Sequence, residues 1–359
     1  MSSPSTDQIL QALSAIQDPD LGRDVVSLGM IKDLVVAADG RVSFTFELTT
    51  PACPVRDRFQ TMAQDIVESL PGVTAVELKM TANVPVSFAA GPQGMAIPGI
   101  KQTIAVASGK GGVGKSTVAV NLAAGLSLSG ASVGVLDADI YGPSIPAMMG
   151  TNSEPKVVDE KLVPLEAYGL KLMSIGFLAG ASKAMIWRGP MVSQAIKQML
   201  TDVRWGELDY LVIDLPPGTG DASLTLAQAV RLTGVAIVCT PQEVALDIAI
   251  KALEMFRSLH VTPLGLVENM SWFVCDGCGQ EHHIFDHGGA ERAAKRLRVP
   301  YLGAVPLDKG IREEADAGAP VVISQPDSPG ANALRQVASA VAAQVSIQSF
   351  RQLPVLNVR

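Results

Sequence analysis

Residues 109–117 read GKGGVGKST, and this segment restricts the fold more than any other part of the chain. It fits the pattern G-x-x-x-x-G-K-[ST], with an apolar run at 103–107 before it and helical spacing of apolar residues at 118–128 after it. A strand, a glycine-rich loop and a helix in this order are typical of a phosphate-binding loop, because backbone amides and the helix N-terminus converge on phosphate oxygens. The segment therefore predicts an α/β domain that binds a nucleotide.

Two side chains of this loop carry the expected chemistry. Lys115 should reach the β- and γ-phosphates, and the Ser116 hydroxyl should bind Mg²⁺. A glycine-rich turn with a chance lysine is the alternative interpretation. The candidate nucleotide-binding residues are Gly109, Lys110, Gly111, Gly112, Val113, Gly114, Lys115, Ser116 and Thr117.

Lys110 is a second lysine near the start of the loop, which an ordinary phosphate loop does not need. It indicates the deviant form of the loop, in which the early lysine crosses to the nucleotide of a partner subunit. A cation supplied in this way neutralises charge that develops on the transferring phosphate, as an arginine finger does. We therefore expect a homodimer that encloses nucleotide, with a solvated loop charge as the alternative for Lys110.

The composition agrees with a well-buried α/β protein. Of 359 residues, 48% are hydrophobic and 18% are charged, and the net charge of −7 argues against a general nucleic-acid binder. The stretch MSSPSTDQIL has neither the basic nor the apolar region typical of a secretory leader, and no uninterrupted apolar run approaches eighteen residues, so we expect a cytoplasmic protein without membrane association. Four cysteines in a chain of this size suggest reduced thiols or metal ligands.

The apolar pattern divides the chain into three segments. Residues 1–88 predict a small α+β domain, and residues 89–99, rich in glycine and proline, predict a linker. Residues 100–359 alternate strand-like and helical stretches, which predicts a doubly wound, mostly parallel sheet. Its strands are expected at 103–107, 132–136, 171–175, 210–213, 235–239, 264–267 and 301–305.

Three aspartates follow apolar strands, where ligands bind in such sheets. Asp214 is the candidate for the Mg²⁺ shell, and Asp139 is the candidate for orienting the attacking water. Asp137 is expected in the outer shell of the metal or loop. The alternative is that strand-to-turn junctions favour aspartate in any case.

Cys275 and Cys278 form a C-x-x-C pair in the loop after the strand at 264–267. One chain supplies two thiolates, whereas zinc or a [4Fe–4S] cluster usually takes four ligands, so a site bridged across a two-fold axis is geometrically reasonable. A zinc site that adds His282 and His283, and a redox dithiol, are the alternatives. Of the other cysteines, Cys239 is expected in the core, and Cys53 is either structural or involved in handling metal.

These residues resemble the Mrp/ApbC-type P-loop ATPases that carry iron–sulfur clusters, relatives of the nitrogenase iron protein and of MinD. The likeness rests on GKGGVGKST, LDADIYGPS at 136–144, WRGPM at 187–191, WGELDYLVIDLPPGTGD at 205–221 and ENMSWFVCDGCG at 268–279. The N-terminal segment resembles the SufT-type Fe–S assembly domain, with TTPACP containing Cys53.

The resemblance implies ATP hydrolysis, with Mg²⁺, coupled to transient binding of a [4Fe–4S] cluster and its delivery to apoproteins. It implies that Lys110 is the signature lysine and that Cys275 and Cys278 are the bridging cluster ligands. It also implies that Asn269 and the turn containing Pro306 contact adenine. Lys110, Lys115, Asp139 and Asp214 are thus the candidate catalytic residues.

One position departs from the family pattern. The family usually has F-G-x-G-G after the cysteine loop, but Asp286 stands where a glycine is expected, and aspartate enters positive φ less freely than glycine.

Two other functions remain open. A MinD-like membrane-associated positioning ATPase is one rival function, although the chain end carries three arginines and no lysine, whereas membrane association of this kind needs a basic amphipathic helix. A nucleotide-locked assembly scaffold with structural zinc is the other.

Overall fold

The computed structural model describes residues 3–87, 94–140, 142–179 and 189–351. These residues divide into two compact units, Met1–Pro85 and Val86–Arg359. Tyr141, Trp187 and Arg188, which lie in segments used for the resemblance, fall outside the described residues, as do residues 89–93 of the expected linker.

The first unit is a small α+β structure built on a three-stranded sheet. Its elements are α1 Thr6–Leu13, β1 Gln17–Asp18, β2 Arg23–Asp24, β3 Ile31–Val36, β4 Arg41–Leu48, α2 Arg56–Glu68 and β5 Ala75–Ala82. Strand β4 lies in the centre, antiparallel to β3 and parallel to β5. Alternate residues of β4 are buried because successive side chains point to opposite faces of a sheet. Phe46 of β4 stacks on Phe59 of α2, with ring centroids 5.5 Å apart.

The second unit contains the remaining elements. They are β6 Ile100–Ser108, α3 Lys115–Leu128, β7 Val133–Asp137, α4 Ile145–Met148, β8 Val157–Val158, β9 Lys161–Leu162, β10 Leu165–Ala167, β11 Leu170–Ser174, α5 Ile175–Ala179, α6 Gly189–Thr201, β12 Leu208–Asp214, α7 Asp221–Ala229, β13 Gly234–Cys239, α8 Glu243–Ser258, β14 Pro263–Glu268, β15 Phe273–Val274, β16 Glu281–His282, α9 Gly289–Leu297, β17 Tyr301–Ala304, α10 Lys309–Ala317, α11 Val321–Ser324 and α12 Pro329–Arg351.

An eight-stranded sheet organises this unit. Its order is β10-β11-β7-β12-β6-β13-β14-β17, and every neighbouring pair except β10 and β11 is parallel. Strands β7 and β13 are buried along their whole length, as expected when helices cover both faces of a parallel sheet. The predicted fold class and all seven predicted strands are therefore confirmed. The pattern missed β10, a three-residue antiparallel edge strand.

The parallel order brings the ends of β6, β7, β12 and β14 to one edge of the sheet. Asp137 and Asp214 are the last residues of β7 and β12, and the phosphate-binding loop and the cysteine loop follow β6 and β14. Within the described ranges, no helix combines the length and the apolar character that crossing a membrane requires.

Candidate functional site

The loop between β6 and α3 has the backbone of an anion site. Gly112 and Gly114 adopt φ angles of 77° and 80°, in the left-handed region that favours glycine. Helix α3 begins at Lys115, so its first amides point toward the loop. A Cβ atom at Gly111 or Gly112 would meet no other atom within 4 Å, which leaves open space over the loop for phosphate.

Lys115 lies in a buried cluster with two carboxylates. Its Nζ atom is 2.5 Å from Oδ1 of Asp214 and 3.6 Å from Oδ2 of Asp139. The Ser116 hydroxyl donates to the other oxygen of Asp214 at 2.5 Å. The structure thus brings together the lysine, the hydroxyl and both carboxylates that the sequence assigned to the phosphates, the metal and the attacking water.

One oxygen of this cluster has no partner. Oδ1 of Asp139 is buried and accepts no hydrogen bond from any described residue. A buried acceptor of this kind is costly unless a ligand satisfies it. A hydroxyl and two carboxylates are oxygen donors of the type that Mg²⁺ prefers, and Mg²⁺ keeps waters that such an oxygen can bind. The residues present therefore fit a magnesium ion.

Asp137 and Asp214 lie side by side on the adjacent strands β7 and β12. Burial raises the pKa of Asp137 to about 7, and the charge of Asp214 adds to this shift. Hydrogen bonds from Ser174 and from the Ile145 and Asp139 amides oppose it. Burial also raises the pKa of Asp214, whereas Lys115 opposes that shift. Asp137 orders the loop after β7, and Asp214 faces the lysine.

Lys110 lies in the phosphate loop, partly buried, and its carbonyl accepts a hydrogen bond from the Ser108 hydroxyl at 3.0 Å. The structure records no ion pair or hydrogen bond between its ammonium group and any described residue of the same chain. The Lys110 side chain is therefore free of the cluster that holds Lys115.

Asn269 is buried beside the phosphate loop. Its Nδ2 atom donates to the carbonyl of Val113 at 2.8 Å, and its backbone amide donates to Cys239 at the end of β13. Pro306 is also buried. It comes two residues after the end of β17, and the residue between them, Val305, donates its amide to the carbonyl of Glu268. Asn269 thus supports the loop directly.

The C-x-x-C pair lies at the tip of a short hairpin formed by β15 and β16. The Cys275 amide donates to Gln280 at 2.9 Å, and the Gly279 amide donates to the Cys275 carbonyl at 2.8 Å. Backbone amides of Cys278 and Gly277 lower the pKa of the Cys275 thiol, which favours the thiolate that binds metals. Cys278 is exposed.

The described residues contain no group of three or more histidine, cysteine or carboxylate side chains placed to hold one metal ion. The alternative zinc site with His282 and His283 is therefore not assembled in this chain. The other cysteines lie elsewhere. Cys239 is buried, which raises its pKa to about 12, and Cys53 is half-buried, which raises its pKa to about 11. The expectation that Cys239 is a core thiol is confirmed.

Asp286 adopts φ of 74°, so the turn keeps the left-handed backbone that a glycine would enter freely. Its Oδ1 atom accepts from the His287 amide at 2.7 Å, and its carboxylate pairs with Arg292. Aspartate is one of the few residues that tolerate this conformation, because its short side chain bonds to nearby backbone. The departure from the family pattern therefore leaves the turn intact.

Sequence reasoning missed a hydrogen-bonded cluster next to the hairpin, in which Glu268 and Ser271 are buried and His287 is exposed. Glu268, at the end of β14, accepts hydrogen bonds from the Gly288 and Ala290 amides at 2.8 and 2.7 Å. It also accepts from the Ser271 hydroxyl at 2.6 Å, and that hydroxyl lies 2.6 Å from Nδ1 of His287. The signal was available, since Glu268 is an acid at the tip of an apolar strand, as Asp214 is.

A doubly wound sheet with a phosphate loop, a lysine-bearing helix start and acidic strand ends defines a P-loop NTPase. The chain belongs to the family of NUBPL iron-transfer P-loop NTPases, whose model matches residues 99–342, and a model of iron–sulfur cluster assembly proteins matches residues 6–78. The family resemblance seen in the sequence is thereby confirmed.

Relatives cover nearly the whole chain. The chain is 48% identical to the iron–sulfur cluster carrier protein of Synechocystis sp., over 96% of this chain and 99% of that protein. It is 47% identical to the protein of the same name from Deinococcus radiodurans, over 97% of this chain and 98% of that protein. It is 49% identical to the Escherichia coli protein of that name, over 76% and 74%.

Solved structures share the fold. A nucleotide-binding protein from Archaeoglobus fulgidus in complex with ADP is 41% identical, with a TM-score of 0.58, over 64% of this chain and 91% of that chain. The cell division ATPase MinD of Pyrococcus furiosus is 23% identical, with a TM-score of 0.52, over 67% and 98%. The second likeness concerns the fold alone.

Proposed function

We propose that this protein is an ATP-hydrolysing iron–sulfur cluster carrier. It binds a [4Fe–4S] cluster between the Cys275 and Cys278 pairs of two protomers and delivers the cluster to apoproteins in the cytoplasm. The observation that carries this proposal is the position of a two-thiol hairpin and a phosphate loop at the same edge of one sheet. Two thiolates without a third ligand form half of a four-ligand site, which a two-fold axis completes.

The nucleotide site is assigned residue by residue. Backbone amides of the loop and Lys115 bind the phosphates of ATP, and Ser116 and Asp214 hold Mg²⁺, which neutralises phosphate charge when bound. Asp139, with its unpartnered buried oxygen, orients the attacking water. Lys110 reaches the nucleotide of the partner protomer. Asn269 and Pro306 border the site and contact adenine.

The cysteine hairpin binds the cargo. Backbone amides lower the pKa of Cys275 and so favour its thiolate form, and the exposure of Cys278 leaves the site open to a second protomer and to recipient proteins. Residues 1–88 form the SufT-like assembly domain, and residues 100–359 form the ATPase domain. The names of the relatives support the cluster-carrying activity.

Anaerobic reconstitution with iron and sulfide tests the proposal. The wild-type protein is expected to bind four iron and four sulfide ions per dimer, which Mössbauer and visible spectra identify as a [4Fe–4S] cluster. The double variant Cys275→Ala/Cys278→Ala is expected to bind none, whereas Cys239→Ala, which removes a buried thiol, is expected to keep the cluster. Unchanged cluster content in the double variant, or zinc without sulfide in the wild type, overturns the proposal.

A further inference from the structure

His287 contacts residues next to both strands of the cysteine hairpin. Its ring is edge-on to Trp272, just before β15, with centroids 6.3 Å apart. It also stacks on His283, just after β16, with centroids 4.9 Å apart. One imidazole thus contacts the chain on both sides of the segment that holds Cys275 and Cys278.

The orientation of His287 is fixed by buried groups. The Ser271 hydroxyl has one proton, which it donates to Glu268, so its lone pairs accept from Nδ1–H of His287. Glu268 is fully buried and is itself held by the Gly288 and Ala290 amides, at the start of α9. The imidazole is 48% exposed, and it turns only by breaking its hydrogen bond to Ser271, which is itself buried and bonded to buried Glu268.

The same strand end contacts the phosphate loop. Asn269 directly follows Glu268, and its side chain donates to the Val113 carbonyl inside the loop. Met270, the next residue, has a left-handed backbone with φ of 57°. The four residues 268–271 therefore carry contacts to the nucleotide loop at one point and to the base of the hairpin at another. Asn269 thus joins the Val113 peptide of the phosphate loop to the strand end that holds Glu268 and Ser271.

We propose that Glu268, Ser271 and His287 are positioning residues that couple the nucleotide state of the phosphate loop to the exposure of Cys275 and Cys278. This inference rests on the proposed function and specifies how nucleotide regulates the cargo site. With the phosphate loop filled, the base of the hairpin adopts a second arrangement, and the cysteines change their accessibility to a partner or recipient. The chain of contacts lies wholly within one domain.

Thiol reactivity measures this coupling without a cluster. The full-length, cluster-free protein is treated with iodoacetamide, alone and with Mg·ADP or a non-hydrolysable ATP analogue, and the peptide containing Cys275 and Cys278 is quantified by mass spectrometry. Nucleotide is expected to change the alkylation rate of the wild-type peptide. In His287→Ala the ratio of the alkylation rates with and without nucleotide is expected to move toward one by about 2- to 30-fold, the range for residues that carry coupling between sites.

Two comparisons make the test specific. His282→Ala is the matched control, because His282 is an exposed histidine of the same hairpin and makes no recorded side-chain hydrogen bond or ring contact with a described residue. It should retain the wild-type ratio. Ser271→Ala removes the hydroxyl that joins Glu268 to His287 but keeps the imidazole ring. In this variant the ratio of alkylation rates should move toward one, as it does in His287→Ala. Nucleotide affinity is measured in parallel, so that every rate with nucleotide is taken at a saturating concentration for that variant.

The proposal is overturned if nucleotide leaves the wild-type rate unchanged, or if both His287→Ala and Ser271→Ala keep the wild-type ratio. An equal loss in His282→Ala also overturns it, because the effect would then belong to the hairpin in general. If His287→Ala does not fold, the outcome for Ser271→Ala decides. None of these results alters cluster content after reconstitution, so failure of the coupling is distinguishable from failure of the proposed function.

Discussion

The side-chain amide of Asn269 occupies the space that a side chain at position 114 would need. A Cβ atom at Gly114 would lie 2.1 Å from Nδ2 of Asn269, and that nitrogen donates to the carbonyl of Val113. Gly114 also has a left-handed backbone, with φ of 80°. Glycine is therefore required at this position for two independent reasons, the backbone conformation and the close approach of an amide.

Gly114→Ala is expected to abolish nucleotide binding and to lower the free energy of unfolding by about 2–4 kcal/mol, from backbone strain and from overpacking. Urea denaturation and titration with fluorescent ADP measure the two effects. Gly111→Ala is the control, because a Cβ atom there meets open space. Adding Asn269→Gly to Gly114→Ala should restore the packing part of the stability. A Gly114→Ala protein as stable as the Gly111→Ala protein contradicts the assignment.

Lys115→Met is expected to destabilise the nucleotide-free protein by about 3–5 kcal/mol, because it leaves the fully buried Asp214 without its cation. Burial raises the pKa of Asp214, so without the lysine the folded state binds a proton more tightly than the unfolded state. The stability of Lys115→Met should therefore decrease as pH rises. Denaturation at several pH values measures this. Lys115→Met/Asp214→Asn should regain most of the loss and lose the part of the pH dependence that Asp214 contributes. If the effects of the two substitutions simply add, the pairing of Lys115 with Asp214 is contradicted.

Lys110→Ala is expected to keep nucleotide binding, but its kcat for ATP hydrolysis should fall by about 10³-fold or more. A loss of this size is typical when a cation that acts on the transferring phosphate is removed. Subunit mixing shows whether the lysine acts in trans. In a mixed dimer of Lys110→Ala with Lys115→Met, the first protomer keeps an intact loop and receives Lys110 from the second. Phosphate release should therefore recover at one site per mixed dimer. No recovery on mixing would mean that Lys110 acts within its own chain.

Cys53 is expected to resist alkylation near neutral pH, because burial raises its pKa to about 11. Its rate with iodoacetamide should rise about tenfold for each pH unit up to that value, since the thiolate is the reactive form. Cys275, whose pKa is lowered, should react much faster at pH 7 in the same sample. Mass spectrometry of the separate peptides gives both rates, and urea-unfolded protein gives the reference for Cys53. Equal rates for Cys53 in folded and unfolded protein would contradict its burial.

Much of the fold follows from patterns in the sequence. Strands such as β7 and β13 are buried on both faces and appear as continuous apolar runs, so their positions were predicted within one or two residues. Strand β10 was missed because three half-buried residues at a sheet edge carry no periodic signal. Glu268 was missed for a different reason. An acid at a strand end is common, and only its contacts with Ser271 and the start of α9 distinguish it.

The sequence alone determined the phosphate loop, because its glycines, Lys115 and Ser116 are neighbours whose chemistry depends on local backbone conformation and on the helix that follows. It also determined the C-x-x-C pair, because the two cysteines are close neighbours in the sequence. Only the tertiary structure decided that Asn269 supports Val113, 156 residues earlier in the chain, and that the His287 ring contacts both Trp272 and His283 beside the cysteine hairpin. Such contacts depend on where irregular loops meet above the ends of parallel strands, and irregular loops have no periodicity from which their positions can be inferred.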